Sequence, residues 1–159
     1  MRLPLANAAA TAALARRLYA ALPADTAGWT LLLEGELGAG KSTFARALIT
    51  AMGHSGAVPS PTYTLVEPYQ LANATIYHID LYRVSSEDEL PYLGWGELDD
   101  GFRLVEWPDR AASLAATADL LLHLDYAGDG RVAELSGLSA RGSELVAQVQ
   151  VAADTQMKD

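Results

Sequence analysis

The order of apolar runs and chain breaks predicts an α/β fold, with a mainly parallel central sheet and an antiparallel hairpin at its edge. Three observations carry that expectation. The apolar run Trp29-Thr30-Leu31-Leu32-Leu33 leads into the glycine-rich stretch Gly35-Glu36-Leu37-Gly38-Ala39-Gly40-Lys41-Ser42, and a helical pattern starts at Lys41. This is the strand, loop and helix order of a P-loop. Strand-like and helix-like segments then keep alternating, and the last two strand patterns flank the turn signal Gly128-Asp129-Gly130. A three-layer P-loop NTPase fold accommodates all three.

From about Asn7 to Leu22 the composition favours a helix, with Leu14, Leu18 and Leu22 forming an apolar stripe that Pro23 and Gly28 close. The run from Trp29 to Leu33 has the unbroken apolar character of a strand covered on both faces. A second helix is expected from Lys41 to Met52, with Phe44, Leu48 and Met52 on one face and Gly53 ending it. Two Gly and two Pro make the stretch from Gly53 to Thr62 an irregular connection, followed by strands at Thr64 to Pro68 and Thr75 to Ile79. Ser86 caps a helix start whose first turn holds Glu87, Asp88 and Glu89. An acidic connection from Gly94 to Gly101 precedes a strand at Phe102 to Trp107 and an Ala-rich helical turn after Pro108. Strands at Asp119 to Tyr126 and Arg131 to Leu135 form the hairpin, and Ser143 to Val151 a closing helix. The 159 residues suit one domain over residues 1–151, with 152–159 as a polar tail.

The formal charge of -9 argues against a broad face for DNA or RNA, because such faces neutralise phosphates with Lys and Arg. No apolar stretch approaches the roughly 20 residues of a membrane span. The chain has no cysteine, which removes disulfides, thiolate metal sites and cysteine nucleophiles and points to the cytoplasm. Lys41 and Lys158 are the only lysines. The lysine in the loop is therefore singled out chemically.

Glycines at 35, 38 and 40 let successive backbone N–H groups turn toward one anion, so residues 36–43 (Glu36, Leu37, Gly38, Ala39, Gly40, Lys41, Ser42 and Thr43) form the expected cradle for a polyphosphate. The following helix presents its positive end to the same anion. Lys41 can reach the β and γ phosphates, and the Ser42 hydroxyl can ligate magnesium. Magnesium also calls for an acid from a neighbouring strand end, and both Asp80 and Glu106 end strand-like runs. Thr62, in Ser60-Pro61-Thr62, offers a further hydroxyl. His78 on its strand reads as a packed core histidine, and Trp107 either stacks on a base or packs at a strand end.

The run at 35–42, with Ser-Pro-Thr-Tyr at 60–63, His-Ile-Asp-Leu-Tyr-Arg at 78–83 and Val-Glu-Trp-Pro at 105–108, resembles the TsaE (YjeE) family. That is the bacterial ATPase component of the machinery that makes threonylcarbamoyladenosine on transfer RNA. The resemblance implies that Ser60-Pro61-Thr62 is a first switch loop and that Asp80 lies in a second. It implies that Glu106 is a magnesium-side acid and that Trp107 binds nucleotide. It also implies ATP and Mg2+ as ligands and TsaB and TsaD as partners, with tRNA reached only through them. Asp80 and Thr62 both remain candidates for positioning the attacking water, with Lys41 as the third catalytic residue. A small-molecule kinase, in which Arg83 would matter most, is the alternative enzyme. A GTP-dependent switch is the alternative binding module, but the chain lacks an Asn-Lys-x-Asp run to read guanine.

Overall fold

The computed structural model describes residues 1–156. Strands β1 (Arg2–Leu5), β2 (Thr30–Glu34), β3 (Val66–Gln70), β4 (Thr75–Asp80), β5 (Phe102–Glu106), β6 (Leu120–Ala127) and β7 (Gly130–Gly137) form one sheet in the order β1-β7-β6-β2-β5-β4-β3. The four central strands, β6, β2, β5 and β4, are parallel, while β3, β7 and β1 pair antiparallel. Helices α1 (Ala8–Ala21), α2 (Lys41–Ala51) and α3 (Ala140–Gln156) complete the main elements.

Alternation along β2 divides the core. Leu31 and Leu33 join Leu14, Leu18, Phe44, Leu48, Leu145 and Val149 of the three helices. Leu32 faces the other way, with Ile79, Val105, Leu90, Leu98 and Leu114. That second face is covered by 3₁₀ segments at Glu87–Leu93, Trp95–Asp100 and Pro108–Ala116, the last kinked at Ala111. Each fully buried leucine contributes roughly 1.5–3 kcal/mol, so a strand with Leu at three successive positions is anchored from both sides. Asn7 caps α1 by accepting the Ala10 N–H at 3.0 Å. Among the described residues no helix is long and apolar enough to cross a membrane.

Several expectations shift. The sheet has antiparallel pairing on both flanks rather than at one edge, because β3 lies antiparallel beside β4 at the edge opposite the hairpin. Arg2–Leu5 also adds an unexpected strand beside β7, and its sequence, with a proline in four residues, carries no strand signal. The strand expected at Thr64 to Pro68 starts two residues later, since Leu65 takes a left-handed conformation with φ of 67°. The acidic stretch after Gly94 is not a plain connection but winds as a 3₁₀ turn that buries Leu98. The closing helix begins earlier, where Ser139 Oγ accepts the Gly142 N–H at 3.0 Å. It also runs past the expected tail boundary at 152 to Gln156, with Ala153 buried. Residues 157–159 lie outside the described residues.

Both outer strands contain a proline, Pro4 in β1 and Pro68 in β3, which removes an N–H donor from each edge.

Asp119 joins the two halves of the sheet to α3. Its buried carboxylate accepts the Thr30 N–H at 3.0 Å, Ser139 Oγ at 2.8 Å and Arg141 Nε at 2.7 Å. Burial pushes this carboxyl up, but the hydrogen bonds from Arg141, Ser139 and Thr30 outweigh it and hold the group below its ordinary value. A depressed carboxyl contributes stability above its unfolded-state pKa and loses it as pH falls through the folded value. Asp119→Asn should therefore lower unfolding stability at pH 7 by about 1–3 kcal/mol. The gap to the parent should close as the buffer is taken below the ordinary carboxylate range in urea titrations.

Candidate functional site

Parallel pairing of β4 with β5 sets Asp80 directly opposite Glu106, so two carboxylates end adjacent strands at the same level. Both are buried, at 3% and 2% exposure. The glycine-rich loop emerges from β2, the next strand over, and returns through Gly40, in left-handed conformation, into the first turn of α2. Gly35 has φ of 147°, and a Cβ there would stand 2.5 Å from the Leu124 carbonyl oxygen, so only glycine fits. A cleft of about 240 Å³ results, lined by Gly38, Lys41, Ser42, Thr43, Asp80, Glu106 and others. It opens at the carboxyl ends of the parallel strands, where open α/β sheets hold their ligands.

Lys41 Nζ donates to the Gly35 carbonyl and, at 3.0 Å, to that of Glu36, and stands 4.0 Å from the centre of the Trp107 ring. Burial pulls its ammonium below the ordinary lysine value, while the nearby carboxylates of Glu106, Asp80 and Asp109 act in the opposite direction. Within the loop, the Ala39 N–H is committed to the Glu36 carbonyl at 3.0 Å. Leu37 is exposed, and its carbonyl accepts the Tyr126 hydroxyl at 2.7 Å. The Gly38 carbonyl accepts Arg131 Nη2 at 3.0 Å. The β6–β7 hairpin thus grips the loop from outside.

Ser42 Oγ donates to Glu106 Oε1 at 3.3 Å, and the other oxygen, Oε2, is 2.6 Å from His78 Nε2. The fit for magnesium is favourable. A hydroxyl and a carboxylate oxygen are hard donors, they border one cleft, and Mg2+ keeps most of its water when a protein offers only one or two ligands. Asp80 accepts the Tyr82 N–H on Oδ1 at 2.8 Å and Thr62 Oγ1 on Oδ2 at 3.1 Å. Burial pushes the Asp80 carboxyl up, and the negative charge of Glu106 adds to that, overcoming the two hydrogen bonds.

Thr62 reaches Asp80 because its loop is docked. Leu65 N–H donates to the Pro61 carbonyl at 2.7 Å, and the Leu65 carbonyl accepts the Asp80 N–H at 2.9 Å. Leu65 and Trp107 are the non-glycine residues with positive φ among the described residues; Trp107 lines the cleft, and Leu65 is bonded to Asp80, which lines it too. The Trp107 ring also lies 4.9 Å from that of Tyr82. Arg83 instead lies over the exposed Tyr63 ring at 5.2 Å.

His78 is the packed, hydrogen-bonded core histidine that its strand position suggests, and its partner is the acid beside Ser42. Sequence reasoning does not reach two further contributors. Tyr126 and Arg131 gave no local signal, because they meet the loop across about ninety residues of chain.

A family model for the threonylcarbamoyl adenosine biosynthesis protein TsaE matches residues 5–133, which spans the loop, both acids and most of the hairpin. The chain belongs to the TsaE family. Named relatives agree with this. The tRNA threonylcarbamoyladenosine biosynthesis protein TsaE of Haemophilus influenzae is 40% identical over 116 residues, covering 72% of this chain and 73% of that one. TsaE of Borreliella burgdorferi is 40% identical over 115 residues, covering 69% and 82%. TsaE of a Nostoc species is 34% identical over 128 residues, covering 77% and 78%. The crystal structure of YdiB from Bacillus subtilis superimposes with a TM-score of 0.76 at 27% identity, over 96% of this chain and 95% of that one. The TsaE fold thus brings Lys41, Ser42, Thr62, Asp80, Glu106 and Trp107 of this chain to one cleft.

Gly35→Ala should destabilise the protein by about 1–3 kcal/mol in urea unfolding, since the added methyl meets backbone that cannot step aside. Asp80→Asn should do the reverse at neutral pH. A carboxyl whose folded pKa is raised loses stability as pH rises from the unfolded-state pKa to the folded one, and that penalty persists above it. The amide removes the penalty and can keep both hydrogen bonds. Its thermal midpoint should exceed the parent's at pH 7 and match it below the ordinary carboxylate range.

Proposed function

We propose that this chain is a magnesium-dependent ATPase with the three-layer P-loop architecture, acting in the formation of threonylcarbamoyladenosine on tRNA in the cytoplasm. The observation that carries this reading is the gathering of Lys41, Ser42, Glu106, Asp80 and Thr62 around one cleft at the strand ends. Family membership and the names of the relatives supply the tRNA-modification context.

In this reading the loop N–H groups and the positive end of α2 bind the phosphates of ATP. Lys41 moves its ammonium from the Gly35 and Glu36 carbonyls to the β and γ phosphates. Ser42 and Glu106 would hold Mg2+, whose positive charge would offset that of the polyphosphate. Asp80 and Thr62, joined by a hydrogen bond, line the cleft and orient the attacking water. Trp107 lies against Lys41 and contacts the bound nucleotide. TsaB and TsaD are the proposed partners, and their contact completes the site, with tRNA held by them rather than by this acidic chain. A kinase would close arginines over the γ phosphate, but no arginine lines the cleft among the described residues.

Lys41→Ala should weaken ATP binding by about 10- to 150-fold in equilibrium titrations, the worth of a charge-assisted hydrogen bond. Magnesium-dependent phosphate release should rise when purified TsaB and TsaD are added. Asp80→Ala should abolish that rise while retaining ATP binding. A full partner-stimulated rate in Asp80→Ala would remove Asp80 from the reaction, and an absence of both stimulation and association would remove the partner assignment.

A further inference from the structure

His78 is 1% exposed on β4, and its Nε2 lies 2.6 Å from Glu106 Oε2. Its other ring nitrogen, Nδ1, is buried without a hydrogen-bond partner. A proton on Nδ1 would be a buried donor with no acceptor, whereas a bare Nδ1 forgoes only an acceptor's bond. The ring proton therefore belongs on Nε2, and Nε2–H donates to Oε2. One carboxylate oxygen of Glu106 is thereby occupied from behind. The remaining oxygen, Oε1, is the one within reach of Ser42 Oγ.

That division of the two oxygens bears on which cation the cleft can hold. Calcium takes about 6–8 oxygens and commonly uses both oxygens of one carboxylate. Magnesium takes a compact octahedron and uses a carboxylate through one oxygen. We propose that His78 is a positioning residue that makes Glu106 a one-oxygen ligand, so that the cleft discriminates for magnesium and against calcium. The inference rests on the magnesium-nucleotide reading of the cleft and adds a selectivity determinant to it. Hydrogen-bonded partners behind a metal ligand typically alter metal affinity by about 10- to 100-fold. Without His78, Oε2 is free to turn toward the cleft, which weakens the fixed geometry for magnesium and admits the two-oxygen mode.

The test compares ADP affinity in saturating Mg2+ with that in saturating Ca2+ for the full chain, His78→Ala and His78→Gln. The parent should bind ADP more tightly with Mg2+. In His78→Ala the Mg2+ to Ca2+ ratio should fall about tenfold. His78→Gln, whose amide nitrogen can reach the place of Nε2 and donate, should keep a ratio near the parent's. A merely structural histidine would lower the melting temperature and leave the ratio alone, so a folded His78→Ala with the parent's ratio overturns the proposal. If His78→Ala does not fold, nitrogen NMR of the parent ring decides: protonation on Nε2 upholds the assignment, and protonation on Nδ1 overturns it. A parent with equal ADP affinity in both ions overturns the selectivity alone. A parent that binds ADP with neither ion sinks the nucleotide reading itself.

Discussion

Three charges are buried side by side where β4 and β5 end and α2 begins: Asp80, Glu106 and Lys41. Each would be costly in isolation, and the surroundings can be understood as the means of holding them. The parallel register fixes the two carboxylates at one level, so their repulsion cannot be relieved by sliding one strand. Relief comes from specific donors instead. Tyr82 N–H and Thr62 Oγ1 serve Asp80, and Ser42 Oγ and His78 serve Glu106. The ammonium of Lys41 lies among them but leans on loop carbonyls. The left-handed residues Leu65 and Trp107 are local strain tolerated so that the flanking loops can reach this cluster.

The glycine-rich loop is gripped from two sides. Lys41 holds the Gly35 and Glu36 carbonyls from within, while Tyr126 and Arg131 hold those of Leu37 and Gly38 from without. A peptide carbonyl fixed outward turns the N–H of the same peptide inward, so the hold on the Leu37 carbonyl orients the Gly38 N–H. The hairpin therefore helps to set the loop before an anion arrives, and less ordering remains for the ligand to impose. Antiparallel strands suit this task, because β6 delivers Tyr126 and β7 delivers Arg131 to the same end of the sheet, with the guanidinium 4.2 Å from the centre of the tyrosine ring.

Short-range physics made much of this legible. The strand at 30–34, the loop and α2 follow from an apolar run, three glycines and a lysine, and Asp80 and Glu106 announce themselves as acids ending apolar runs. What was hidden depends on distant partners. No local pattern could show that His78 bonds to Glu106, since the same His on a strand face serves equally as a core residue. Arg2–Leu5 is a strand because β7 offers it an edge, which its own sequence does not signal. The 3₁₀ turns after Ser86 and Gly94 lack a helical apolar period, yet Leu90 and Leu98 seal the second face of the sheet. In the 60s loop, Leu65 delays β3 by adopting a conformation that no leucine prefers.

The prolines in β1 and β3 have a consequence for assembly. A sheet normally offers its flanks as templates on which another chain can lie down as an extra strand. Here each flank lacks one donor of the ladder such a visitor would need, so backbone-to-backbone docking is weakened at both ends of the seven-stranded sheet. The balance shifts toward recognition by side chains, through loops or helix faces, which ties it to sequence rather than to generic strand geometry.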